Sequence, residues 1–192
     1  MNMMTNAELD TFLCEKYPKM FADRHKSPME TCLAFGLEIG PGWGNILKVL
    51  CSQIQWHIDQ SIKSNEYDTE AEAIRSSAVA GDWTLFTKHY ATFNPEYIST
   101  MRKDILTMNP RIIREIVPQV VVGQVKEKFG TLRFYYSGGD EYIHGLVSFA
   151  EGMTGCTCEE CGNPGRRSTG GWIQVRCEEH GRVTEEDEVD PQ

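Results

Sequence analysis

Four residues near the carboxyl end of the chain have the types and spacing of metal ligands. Cys158 and Cys161 form one pair, Cys177 and His180 form a second, and two residues separate the members of each pair. A tetrahedral zinc ion takes four thiolate or imidazole donors, and this spacing lets each pair bind it from one side. Gly162 follows the first pair and permits the tight backbone turn that such a site needs. We therefore predict one zinc ion per chain, held by these four side chains.

A neighbouring thiol allows a second ligand set. Cys156 could replace His180, although the two matched pairs account for the spacing better. Either set supplies four protein ligands, whereas a catalytic zinc site keeps one position open for water. The sequence has neither the His-Glu-x-x-His motif of zinc proteases nor the His-x-Glu and Pro-Cys-x-x-Cys motifs of deaminases. The metal is therefore predicted to be structural.

The stretch between the two ligand pairs predicts a small β-rich module at 154–182. Turn-forming residues come first in GNPGRRSTGGWIQV and apolar residues follow, a pattern that favours a hairpin in a zinc ribbon or a treble-clef-like fold. No long helix separates the pairs, as it would in a DNA-reading finger. The module mixes four arginines with four glutamates, so nucleic-acid binding is the less favoured interpretation: Arg166, Arg167, Arg176 and Arg182 against Glu159, Glu160, Glu178 and Glu179.

A second candidate site lies on a predicted β-hairpin. Residues 119–128 and 131–137 alternate apolar and polar side chains around Phe129-Gly130, which predicts two antiparallel strands. Lysine and arginine concentrate there beside tyrosine in an otherwise acidic chain, so one face could bind a phosphate or carboxylate. The alternative is a solvated strand edge on which lysines prevent unwanted pairing. The candidate residues for a ligand or partner are Lys126, Lys128, Arg133 and Tyr135.

Helical periodicity predicts the elements that surround this hairpin. We expect helices at 6–17, from Gly44 onward, and after Asp140. The passage 62–118 predicts several short helices and is a possible insertion; two of them begin with Asn-Pro, at 94–95 and 109–110. The fold class is therefore α+β, with helices around a short antiparallel hairpin. The predicted division is an α+β domain at 1–153, the zinc module at 154–182 and an acidic disordered tail at 183–192.

Composition places the chain among globular proteins of the cytoplasm. The net charge is −9, and five of the acidic residues fall in the tail TEEDEVDPQ. No run approaches the length of a membrane span, and MNMMTNAELDTF lacks the pattern of a secretory signal. Thiols stay reduced in the cytosol, so the seven cysteines indicate metal ligands or buried apolar side chains before disulfides.

Three further features have simpler structural explanations. Residues 137–140 (SGGD) could bind an anion at a helix start, but a turn with Asp140 as helix cap is the simpler account. Trp43, between two glycines, is expected to pack into the core. His57 and His144 lie on predicted helices without a recognisable catalytic partner.

The ordered combination of several segments resembles a family of small zinc-knuckle proteins, of uncharacterised function, from bacteria, phages and prophages. The segments are KYPKMF, GPGWGNILKVLCSQI, QVKEKFGTLRFYYSGG and the stretch from CEECGNPG to GGWIQVRCEEH. The resemblance implies a zinc module and the cytosol of a bacterial host. The passage 62–112 is longer than this resemblance leads us to expect.

These observations together favour a zinc-stapled binding protein. In a phage setting we expect an accessory protein that inhibits or sequesters a host protein, such as a defence component, or a small charged ligand. A nucleic-acid-binding zinc protein and an enzyme of unrecognised type that uses the basic hairpin face are the alternatives. The chain could also form a homo-oligomer.

Overall fold

A computed structural model describes residues 4–168 and 171–181, which form two compact units. The first unit comprises the described parts of Met1–Ile58 and Val117–Gln192, and the second is Asp59–Ile116. The α+β class is confirmed, since helices accompany a small sheet. The predicted acidic tail at 183–192 lies outside the described residues.

The first unit begins with helix α1, Asn6–Lys16. Thr5 caps it, because its hydroxyl accepts from the backbone N–H of Glu8 while the Glu8 carboxylate accepts from the N–H of Thr5. Leu9 and Leu13, one turn apart, are buried. This helix lies within the predicted range 6–17. Other fully buried side chains of the unit are Met20, Leu33, Trp43, Leu47, Ile54, Val120, Val122, Leu132 and Ile143.

The predicted hairpin is confirmed, and it forms two strands of a three-stranded sheet. Strand β2 is Val121–Lys128 and pairs antiparallel with β3, Thr131–Ser137. The short strand β1, Leu37–Glu38, pairs parallel with β2 and was not predicted. Leu132 and Phe134 are buried on one face, as the alternation predicts.

Helix α5, Glu141–Thr154, covers the outer edge of β3 with two side chains. The N–H of Leu132 donates to the Thr154 hydroxyl at 2.9 Å, and the N–H of Phe134 donates to Glu151 Oε1 at 2.9 Å. These bonds satisfy backbone groups that a free edge strand would leave unpaired. The helix therefore protects the sheet and then leads into the metal module.

Helix α2, Gly44–Val79, differs from the prediction of separate helices, because it continues without a break through residues 59–79. No glycine or proline lies between Gly44 and Val79, so nothing interrupts its hydrogen bonding. Two shorter helices of the second unit follow: α3, Thr84–His89, and α4, Pro95–Asp104, which Asn94 caps as predicted. The small core of this unit consists of Ile74, Ala78, Phe86 and Ile105.

The predicted helix at 109–117 is wrong, since this segment has no regular secondary structure. Side chains of α2 take the place of helical hydrogen bonds. The N–H of Arg111 donates to Glu72 at 2.8 Å, and the carbonyl of Arg114 accepts from Asn65 at 2.6 Å. The guanidiniums of Arg111 and Arg114 both bind Asp68, which is buried. These side-chain hydrogen bonds and ion pairs outweigh the tendency of the Asn-Pro pair to start a helix.

Among the described residues, no helix combines the length and the apolar content that crossing a membrane requires.

Candidate metal centre

The four predicted ligands come together in the first unit. Their donor atoms all lie within 4.8 Å of one another. Cys161 Sγ is 3.6 Å from Cys177 Sγ, and His180 Nδ1 is 3.2 Å from Cys177 Sγ and 3.8 Å from Cys158 Sγ. Usual zinc–ligand bond lengths give a tetrahedron with edges of about 3.5–3.8 Å. The donor set and its size therefore fit a tetrahedral metal ion.

Two tight backbone turns deliver the ligand pairs. The N–H of Gly162 donates to the carbonyl of Cys158 at 2.8 Å, and Gly162 has a φ of +77°. A residue with a side chain rarely adopts this conformation, so the prediction that glycine serves the turn is confirmed. In the second pair, the N–H groups of His180 and Gly181 both donate to the carbonyl of Cys177, at 3.1 and 2.7 Å.

A two-stranded ribbon brings the second pair back to the first. Strands β4, Arg166–Arg167, and β5, Val175–Arg176, pair antiparallel. The N–H of Glu159 donates to the carbonyl of Val175 at 3.1 Å, which ties the first turn to the ribbon directly. Cys158 and Val175 are both fully buried. The ribbon therefore fixes the separation of the two ligand pairs.

The segment at 40–44 (GPGWG) packs against the first ligand turn; it contains the short 3-10 helix Pro41–Trp43 and the first residue of α2. The N–H of Gly42 donates to the carbonyl of Glu159 at 2.7 Å, and the indole N–H of Trp43 donates to the carbonyl of Thr157 at 2.9 Å. A Cβ atom on Gly42 would lie 2.3 Å from the carbonyl oxygen of Cys158. Two backbones thus meet with no room for a side chain, which explains the glycines that the sequence shows only as turn residues. Trp43 is buried, as expected.

A half-buried carboxylate links the same segment to the ribbon. Glu159 accepts from the N–H of Gly40 at 3.1 Å and lies 3.3 Å from the guanidinium of Arg176. Burial raises the pKa of the Glu159 carboxyl, while Arg176 opposes this rise. Arg176 also lies 3.0 Å from Glu160. Arg176 is thus partnered by the module's own glutamates.

Hydrogen bonds among the ligands shift their pKa values in different directions. Burial opposes ionisation of Cys177, but hydrogen bonds with His180 and Cys161 outweigh it and lower the pKa of the Cys177 thiol to about 6. For Cys161, the backbone N–H of Asn163 favours the thiolate, yet burial and the neighbouring thiols raise its pKa to about 11. The hydrogen bond with Cys177 raises the pKa of His180. When no metal is bound, these shifts favour a thiolate on Cys177 and a proton on His180.

Metal affinity is consequently expected to rise with pH. Bound ligands must be deprotonated, and at pH 7 the Cys161 thiol still carries a proton that the metal displaces. Each displaced proton changes the affinity about tenfold per pH unit, so we expect at least that slope between pH 6 and 8. The slope steepens below pH 6, where Cys177 also gains a proton. Competition with a chromophoric chelator measures this, and a pH-independent affinity would contradict it.

Cys156, the alternative ligand, lies outside this cluster. It is exposed, and its Sγ hydrogen-bonds to the carbonyl of Met153 at 3.3 Å. The geometry thus favours the set with His180.

The hairpin residues proposed for a ligand or partner lie on the face of the sheet opposite the core. Lys126 pairs with Arg133 across the two strands, and its Nζ lies 5.6 Å from the centre of the Tyr135 ring. Arg133 donates to the hydroxyl of Thr131 at 2.7 Å and lies 3.6 Å from Glu151. Lys128 is exposed beside the ring of Phe129. Arg133 is therefore engaged within the chain, whereas Lys128 faces solvent.

The other candidate residues have structural partners. Asp140 caps α5, because its carboxylate accepts from the N–H of Ile143 at 3.0 Å. The same carboxylate lies 2.8 Å from Nε2 of His57, a pairing that the sequence does not reveal across 83 residues. His144 is exposed on α5. The turn-and-cap explanation for 137–140 is confirmed.

Comparison of the chain with family models, curated proteins and solved structures finds no match to any of them.

Proposed function

We propose that the chain is a binding protein whose fold is stabilised by one structural zinc ion. The observation that carries the structural role is the complete tetrahedron of four protein donors, whose first turn packs backbone to backbone against residues 40–44. Three thiolates and one imidazole suit zinc. Four protein ligands leave no position for a substrate or a reactive water. The paired two-residue strands support a zinc-ribbon or treble-clef-like arrangement for the module.

The binding role rests on an exposed segment of the second unit, the apolar arm, defined as residues 106–116. Ile112 is 88% exposed, and four more large apolar side chains of the arm are also exposed. The arm is nonetheless anchored, because Arg111 and Arg114 bind Asp68. Clusters of exposed apolar side chains on a fixed backbone are typical of protein interaction sites. The other members are Leu106, Met108, Ile113 and Ile116.

The partner that we propose is a protein of a bacterial host, which the chain inhibits or sequesters. The resemblance to phage and prophage proteins supports the host setting. The fixed backbone of the arm supports a protein partner, because presenting several isoleucines in one geometry costs little further ordering on association. Because four protein ligands fill the coordination of the metal, binding of a partner is better supported than catalysis.

Replacing Ile112 with aspartate is expected to abolish retention of the partner. A buried, unpaired carboxylate at an interface costs enough to lower affinity by about a hundredfold or more. Met29→Asp is the matched control, since Met29 is 95% exposed on the first unit. The measurement is affinity capture from host lysate, native mass spectrometry of the retained complex and then titration with the purified partner.

Either of two outcomes would overturn this proposal. The first is equal retention of the partner by the parent and by Ile112→Asp. The second is recovery of the parent as a dimer that Ile112→Asp dissociates, because the arm would then join two copies of this chain.

A specific observation also favours nucleic acid as a second candidate. Phe129 is exposed with a φ of +54°, an uncommon conformation for a large side chain, and Arg167 donates to its carbonyl at 3.0 Å. Lys128, Arg166 and the exposed Trp172 belong to the same hairpin turn and ribbon. Exposed aromatic rings with cations suit stacking on single strands. Binding of oligonucleotides that weakens steeply with salt would support it; absence of binding at 50 mM salt, roughly where such electrostatics are strong, would dismiss it.

A further inference from the structure

A cavity of about 450 Å³ lies within the second unit. One face of α2, with Tyr67, Glu70 and Ile74 at helical spacing, forms one side. Residues from the end of α3, from α4 and from the segment up to Arg111 form the rest. Small-molecule sites commonly have volumes of about 300–1,000 Å³. The cavity therefore has room for a small organic molecule.

The cavity has an apolar floor and aromatic walls. Ile74 and Ile105 at the floor are buried in the core of the unit, and Met101 packs against them. Tyr90 and Tyr97 line the cavity with their ring centres 6.1 Å apart. Aromatic surfaces of this kind accept the face or edge of a flat ring.

Polar groups converge at the rim of this apolar space. The guanidinium of Arg111 lies 4.9 Å from the centre of the Tyr67 ring, and its Nη2 is 3.5 Å from the Tyr67 hydroxyl. Burial raises the pKa of Tyr90, the nearby hydroxyls of Tyr97 and Tyr67 raise it further, and Arg111 opposes the rise. Arg111 thus contacts Tyr67 at the rim of the cavity that Tyr90 and Tyr97 also line.

Among the side chains that line the cavity, two arginines, Arg75 and Arg111, outnumber one carboxylate, Glu70. The buried carboxylate of Asp68 is shared by Arg111 at 3.2 Å and Arg114 at 2.7 Å, so one negative charge faces two positive ones. Glu72 lies 2.6 Å from Arg75 and is neutralised by it. Asp68 and Glu72 do not line the cavity, and the carboxylate that does, Glu70, is 3.1 Å from the ring nitrogen of His89.

We propose that this cavity binds a small molecule with a flat ring and one anionic group. The ring packs among Tyr90, Tyr97 and the apolar floor, and the anion takes hydrogen bonds from the two tyrosine hydroxyls and from Arg111. Nucleoside monophosphates and aromatic carboxylates share this chemistry. The cavity and the apolar arm share Met108 and Arg111. Tyr90 and Tyr97 lie outside the arm, so variants at these two tyrosines test the cavity alone.

The test is calorimetric titration of the zinc-loaded full-length chain with four probes. Adenosine 5′-monophosphate and indole-3-acetate each carry a ring and an anion; adenosine carries only the ring and inorganic phosphate only the charge. At least one of the two ring-bearing anions is expected to bind about tenfold tighter than adenosine or inorganic phosphate. The anion that binds more tightly indicates whether the cavity takes a nucleoside monophosphate or an aromatic carboxylate. Failure of both ring-bearing anions to bind at 2 mM, about the weak limit of specific small-ligand sites, overturns the proposal.

Variants that lack one tyrosine hydroxyl test whether the probes bind in this cavity. Tyr97→Phe and Tyr90→Phe remove one donor each without changing the aromatic wall, and each is expected to weaken the anion by about tenfold. Arg111→Gln should weaken it more, but it also breaks the contact with Asp68, so the tyrosine variants keep the test independent of folding. Tyr142→Phe, on α5 of the first unit, is the matched control. Unchanged affinity in both cavity variants would contradict the site.

Discussion

Replacing Cys177 with serine is expected to unfold the metal module and to destabilise the first unit by about 4 kcal/mol or more. Cys177 Sγ lies closest to two other donors, at 3.6 Å from Cys161 Sγ and 3.2 Å from His180 Nδ1. Serine is a poor zinc ligand at neutral pH, and the apolar core of the module is too small to fold without metal. Cys161→Ser should have the same effect.

The damage should extend beyond the last 40 or so residues of the chain. When the ligand turn is lost, Gly42 loses its bond to Glu159 and the indole of Trp43 loses its acceptor on Thr157. Hydrogen exchange followed by mass spectrometry is therefore expected to show faster exchange at 40–44 as well as at 156–181. Helices α3 and α4, in the second unit, should be much less affected.

Cys156→Ser is the matched control, because Cys156 is an exposed thiol only two residues from the first ligand. It should bind one metal ion per chain and melt with the parent. If Cys177→Ser also bound one metal ion per chain and melted with the parent, Cys177 would not be a ligand. Loss of metal in Cys156→Ser would instead restore the alternative set.

The parts of the fold that the sequence predicts are those fixed by local chemistry. The metal site is predictable because each ligand pair spans only four residues, so its geometry depends on one turn. The hairpin is predictable because alternation of buried and exposed side chains needs only the neighbours on the two strands, and Leu132 and Phe134 are buried accordingly. Asn94 is recognisable as a cap for the same reason.

The parts that sequence reasoning misses depend on contacts between distant residues. The Asn-Pro pair at 109–110 predicts a helix start, but Asp68 and Glu72 on α2 bind the following arginines and hold the segment out of a helix. The cavity of the second unit joins Tyr67 to Tyr97 and Arg111, which are 30 or more positions away, so no motif marks it. Strand β1 has only two residues, too few for any periodicity.

The role of the glycines at 40–44 is only partly predictable from the sequence. Their composition predicts a turn, and the structure has one turn of 3-10 helix at Pro41–Trp43. Their main role, however, is a contact with residues 157–162, more than 110 positions later. At Gly42 this contact involves three backbone atoms, which cannot move aside as a flexible side chain could. Gly42 therefore offers a direct test of how much the docked segment contributes to the metal-bound fold.

Gly42→Ala is expected to destabilise the zinc-loaded protein by about 3 kcal/mol. The new Cβ would lie 2.3 Å from the carbonyl oxygen of Cys158, 2.5 Å from the nitrogen of Gly162 and 2.7 Å from the carbonyl oxygen of Glu159. Separating these backbones lengthens the 2.7 Å bond from Gly42 to Glu159 and shifts the turn that carries two ligands. Urea unfolding of the metal-loaded chain measures the loss, and zinc affinity should fall with it.

Gly145→Ala on α5 is the control, because there the same substitution is expected to raise stability instead of lowering it. A Cβ at Gly145 meets no atom within 4 Å, and alanine is the better helix former by about 0.5–1 kcal/mol, so this variant should be slightly more stable than the parent. The same chemical change is thus expected to act in opposite directions at the two positions. If both variants matched the parent, the backbone contact at Gly42 would contribute nothing, and the metal module would fold without support from the segment at 40–44.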